Sequence, residues 1–73
     1  MTYAWPAGDC WRFQTEDAKA CEVLKKHCEL VGEGPDIWVL RAEMGRDAVF
    51  SMLGRVGHGK VREDAATGGF LVN

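Results

Sequence analysis

Residues 15–31 read TEDAKACEVLKKHCELV, and the period of their apolar positions decides the fold class. At roughly 100° per residue, Ala20, Cys21, Val23, Leu24, His27, Cys28, Leu30 and Val31 share an arc of about 180°. Lys19, Glu22, Lys25, Lys26 and Glu29 occupy the opposite arc. Thr15 stands where its hydroxyl can cap a helix, and Glu16 and Asp17 in the first turn complement the helix dipole. Glu22 and Lys26 form a favourable i,i+4 pair. Gly32 and Gly34-Pro35 supply the stop. The pattern predicts one main amphipathic helix over 16–31.

On the N-terminal side, Cys10–Gln14 alternates, with Trp11 and Phe13 facing one way and Cys10, Arg12 and Gln14 the other, as a half-buried strand does. Residues 1–8, with Tyr3, Trp5 and Pro6, read as an extended N-terminal arm or edge segment. On the C-terminal side, Ile37–Ala42 is apolar on both faces, as expected of a strand with neighbours on both sides. Over 46–56, Val49, Phe50, Met52, Leu53 and Val56 cover an arc of about 160° on a helical wheel, which favours a helix over a hairpin strand. Residues 57–69 hold four glycines and read as a flexible loop. Phe70–Val72 forms a last short strand that can pair with 61–63 across a turn at 65–69. The expected fold is α+β, a small sheet of three to four strands packed against the one main helix, in the order β-α-β-(α or β)-β. Seventy-three residues make this a single domain, 1–73.

Composition narrows the classes. The chain is 47% hydrophobic and 27% charged, which suits a packed core rather than disorder. The net charge of −2 divides into −3 over residues 1–40 (four cations, seven acids) and +1 over 41–73 (five cations, four acids). Neither half has the excess expected of a strong nucleic-acid or membrane binder. Three cysteines make no disulfide framework. No secretory signal opens the chain, and its longest strongly apolar run is Ile37–Leu40, against the roughly 20 residues a membrane span needs. A reducing, cytoplasmic setting with no membrane partner is expected.

Four patterns suggest chemistry. Gly54 to Lys60 has P-loop spacing, but Val61 stands where a Ser or Thr must hold Mg²⁺, and 64–69 is too short and glycine-rich for the helix that should follow. What remains is a glycine loop offering Arg55, His58, Lys60 and Arg62 to an anion. Cys21, His27, Cys28 and His58 are zinc-ligand types at the wrong spacing. On one helix Cys21 and Cys28 would lie about 10 Å apart along the axis, whereas zinc needs each thiolate at roughly 2.3 Å. No metal, cofactor or Cys21–Cys28 disulfide is expected. Cysteine and histidine can make a nucleophile and base, but no third residue stands out to orient the imidazole, and His27 falls on the apolar arc. Glu16-Asp17 and Glu63-Asp64 read as a helix start and a solvated turn. Finally, Trp11 and Trp38 fit a small core, whereas Tyr3 and Trp5, close to the terminus, fit interface anchors.

These readings converge on a non-enzymatic protein-binding module, with Tyr3, Trp5, Arg46, Arg55, His58, Lys60 and Arg62 as its candidate binding residues. The partner is another protein, in a larger complex, and a homodimer is compatible with the same surface. In size and lack of motifs the chain is analogous to phage or mobile-element inhibitors of host complexes, of the anti-CRISPR type, though no matching residue carries that analogy. The alternative is a small nucleic-acid-binding domain that uses a weak basic patch and an aromatic sheet face.

Overall fold

The structure, a computed structural model, describes residues 1–73. Six strands and two short helices follow one another as β1 (Thr2–Ala7), β2 (Cys10–Thr15), α1 (Ala18–Leu24), β3 (Glu29–Glu33), β4 (Trp38–Ala42), α2 (Arg46–Val56), β5 (Arg62–Asp64) and β6 (Gly69–Val72). The strands form one antiparallel sheet in the order β3-β4-β2-β1-β6-β5. This corrects the expected three to four strands on one main helix: the fold is mostly β, and neither helix dominates it.

The largest difference from the expected fold lies at 16–31. The helix there has seven residues and ends at Leu24. Backbone bonds from Lys26 to Val23 and from His27 and Cys28 to Leu24 wind the chain out of it, and residues 29–33 become the edge strand β3. Leu30 pairs with Leu40 of β4 instead of extending the helical arc. A short apolar stretch such as Leu30-Val31 satisfies either period, and here the sheet claims it because β4 needs a neighbour on that side. The start differs as well. Asp17, not Thr15, is the N-cap, its carboxylate accepting from the Lys19 amide at 2.9 Å. Thr15 is fully buried at the end of β2, where its hydroxyl shares a 2.9 Å hydrogen bond with Thr2 and accepts from the Asp17 amide at 3.1 Å.

Residues 1–8 are expected as an arm or edge segment, but residues 2–7 are β1, an interior strand paired to β2 from Thr2↔Thr15 to Ala7↔Cys10 and to β6 from Thr2↔Val72 to Ala4↔Phe70. The β1–β2 turn is only Gly8-Asp9, and Gly8 has φ +67°, a conformation that favours glycine. The helix over 46–56 is present as α2, with Asp47 in its first turn and Arg55 in its last, each suited to the dipole. The 61–63 hairpin is also present, displaced by one residue: Arg62–Asp64 pairs with β6.

α1 connects β2 to β3, and α2 carries the chain from β4 to the opposite side of the sheet. The two helices touch each other and share one apolar cluster with the strands. Ala20 and Leu24 of α1, and Val49, Met52, Leu53 and Val56 of α2, pack on Ala4, Trp11, Phe13, Leu40, Phe70 and Val72. Trp11 stacks on Phe70 at 5.9 Å, so it is core as expected, and Trp38 packs at the margin. Both helices therefore cover one face of the sheet and leave the other open.

Candidate functional site

Strand alternation sets what the open face shows. On β2, Trp11, Phe13 and Thr15 are buried under the helices, so Cys10, Arg12 and Gln14 point the other way. On β1, Thr2 and Ala4 are buried, and Tyr3 and Trp5 take the open side. The registers then align two rungs across the sheet. One runs Glu29, Arg41, Arg12, Trp5 from β3 to β1. The other runs Gly32, Val39, Gln14, Tyr3, Leu71, Arg62 from β3 to β5. Residues of adjacent rungs are two apart in sequence on β4, β2 and β1, or roughly 6.6 Å along a strand, and three apart on β3, where the register shifts between Leu30 and Gly32.

The first rung is charged and the second largely apolar. Arg41 donates to the Glu29 carboxylate at 3.3 Å. The nearby Cys10 sulfur and then Glu29 hold the Arg41 proton more firmly than usual. Arg12 sits directly across from Arg41 and belongs to neither of the two ion pairs in the molecule. A shallow depression of about 370 Å³ lies beside it, lined by Tyr3, Trp5, Gln14, Asp64 and Thr67. Asp64 is engaged within its own turn, accepting from the Ala66 amide and the Thr67 hydroxyl.

Of the residues singled out in the sequence, Tyr3, Trp5 and Arg62 come together on this face. The others do not join them. Arg46 lies on the covered side, its guanidinium 4.6 Å from the Phe70 ring centroid and 5.7 Å from that of Trp11, and it donates to the Gly68 carbonyl at 2.9 Å. Arg55 is exposed in the last turn of α2, and His58 and Lys60 are exposed in the loop that follows. The P-loop spacing straddles the end of that helix, where the Gly57 amide donates to the Leu53 carbonyl. A helix C-terminus carries partial negative charge and repels a phosphate. Arg12 and Arg41 are the site residues that the sequence reading left out of the candidate set. The alternation at 10–14 already placed Arg12 on the face opposite Trp11, but only the β2–β4 register brings Arg41 beside it.

No thiol shares a hydrogen bond with an imidazole, and the Cys10 thiol donates to the Ala7 carbonyl. His27 is exposed rather than on an apolar arc. Cys21 is buried in α1, and Cys28 lies beyond that helix at the core margin. Burial pushes the Cys28 thiol up to about 11. Burial also raises Cys21, against the pull of nearby Lys25. No three His, Cys, Asp or Glu side chains gather closely enough to hold a metal ion. No helix is long and apolar enough to cross a membrane.

No family model, curated protein or solved structure matches this chain.

Proposed function

We propose that this chain is a non-enzymatic protein-binding module that docks its partner on the open face of its sheet, in a reducing, cytoplasmic setting. The observation that carries this reading is the one-sided architecture: both helices lie on one face, and the other offers Tyr3, Trp5, Val39 and Leu71 beside Arg12, Arg41 and Arg62. Tryptophan, tyrosine and arginine are the side chains that most often anchor protein interfaces.

The sheet edges favour docking on the face over strand addition. In β3 the register shifts between Leu30 and Gly32, so Val31 bulges and interrupts the ladder. Antiparallel self-pairing centred on Val31 would also oppose Glu29 to Glu33 of a second copy, a like-charge contact. The other edge, β5, has only three residues, all of them charged. Three free thiols suit a reducing compartment.

The test is capture of a partner from lysate by wild type, by a Tyr3→Ala/Trp5→Ala double variant and by an Arg55→Ala/His58→Ala double variant. Capture lost only with the first pair supports the face. Capture that persists in the first pair and fails in the second places the interface on the helix side and sinks the reading. The second reading, single-stranded nucleic acid, is favoured by one observation: Tyr3 and Trp5 stand two residues apart on a sheet face beside arginines, as base-stacking platforms do. Retention of a labelled oligonucleotide at low salt, lost steeply as salt rises, would establish it in place of the first.

A further inference from the structure

Arg12 and Arg41 are direct cross-strand partners on the open face, and like charges in that relation destabilise a sheet. Glu29, on the far side of Arg41, neutralises one of them. Arg12 is half-buried and has no carboxylate partner. The two arginines share one rung on neighbouring strands, and the acids near them, Glu29 and Glu43, gather with Arg41 alone. The planar forks of the arginines match a carboxylate in bidentate fashion.

We infer that Arg12 and Arg41 clamp one carboxylate of an acidic side chain on a protein partner, whose neighbouring apolar residue lies over Tyr3, Val39 and Leu71. This deepens the proposed function and rests on it. Three features select this occupant. Charge complementarity comes first: Glu29 and Glu43 gather with Arg41 around a second depression that Arg12 does not line, so Arg12 is left as the face's central cation without a counter-charge. Second, the acids bound the clamp. Glu29 ends the charged rung on one side, and Asp64 lines the depression beside Trp5 on the other. A polyphosphate backbone crossing the sheet would meet one or both, whereas a lone carboxylate over the arginines meets neither. Third, the adjoining rung is mostly uncharged, with Val39, Gln14, Tyr3 and Leu71 in line. It offers a polyanion no second cation on β2 or β4, but suits an apolar residue next to the acid.

The experiment uses a displayed library of short random peptides, selected on the full wild-type chain. The expected consensus is an Asp or Glu beside an aromatic or aliphatic residue. The best peptide, made synthetically, should lose about ten- to a hundredfold in affinity when its acid is changed to the amide, or when Arg12 is changed to Gln. Arg12→Lys keeps the charge but not the fork, and should fall between wild type and Arg12→Gln. A thermal melt of each variant shows that the fold is retained. Peptides that bind Arg12→Gln as tightly as wild type, but are lost with Tyr3→Ala/Trp5→Ala, overturn the clamp and leave the face standing. Peptides indifferent to both sets overturn the clamp and the face together. A neutral or basic consensus, an empty selection, or binding of a labelled oligonucleotide with no peptide also overturns the clamp.

Discussion

The two faces of the sheet use the same side chains to opposite ends. On the covered face, Arg46 of α2 lies over Phe70 and Trp11 and donates to the Gly68 carbonyl, so cation, rings and turn satisfy one another within the molecule. On the open face, Trp5 and Arg12 are also neighbours, yet no helix lies over them and no carboxylate meets the guanidinium. An arginine beside a tryptophan is thus no sign of a binding site in itself. What separates the two is whether the surrounding structure already supplies the partner.

This contrast is broken most directly through the covered face. Phe13 is fully buried under the helices, and Phe13→Ala should cost about 3–5 kcal/mol in urea unfolding, enough to unfold so small a domain. A loss below about 1 kcal/mol would mean the core lies elsewhere. Next comes the buried Thr2–Thr15 hydroxyl pair. Thr15→Val leaves Thr2 without its partner and should cost about 1–3 kcal/mol, and adding Thr2→Val should recover part of the loss. A double variant worse than the sum of the singles would contradict the pairing.

Alkaline pH should weaken the covered side through Cys28. Its thiol ionises near 11 in the folded chain against an ordinary 9.0, so the folded state keeps a proton that the unfolded chain gives up first. That contribution is complete below pH 9 and is lost as pH rises through 11. Cys28→Ala should flatten the fall in stability over this window, and an unchanged slope would exclude the thiol as its source. The smallest effects sharpen the comparison itself. Arg46→Ala should cost about 0.5–1 kcal/mol through its lost ring contacts. Arg12→Gln should stay within about 0.5 kcal/mol, or stabilise slightly by relieving repulsion from Arg41. Equal costs at the two positions would erase the distinction.

Much of the covered face was legible in the sequence, because burial leaves a periodic trace. Val49, Met52, Leu53 and Val56 lean towards the helix that α2 is, with a hairpin strand as the open alternative, and Trp11 with Phe13 marks the inner side of β2. The region at 16–31 misled because Leu30 and Val31 continue a helical arc as readily as they begin an edge strand, and a strand that pairs with β4 announces itself only through β4. β1 carried a usable signal that the arm reading passed over: Gly8-Asp9, between Ala7 and Cys10, is a two-residue hairpin loop. The candidate site was legible in part. Tyr3 and Trp5 stood out by type, whereas the meeting of Arg12 and Arg41 depends on register, which a sequence period does not encode. Arg46 drew notice as a surface cation although its role is structural.

The pairing of β1 with β6 has a kinetic consequence. Thr2 meets Val72, so β1 gains its second neighbour only after nearly the whole described chain has been made. Until then β1 offers one unpaired edge, with Trp5 on it, to whatever else is in solution. Contacts so far apart in sequence slow folding. A nascent or partly unfolded chain is therefore most exposed to strand exchange at the position that becomes, once β6 docks, one of the best protected in the molecule.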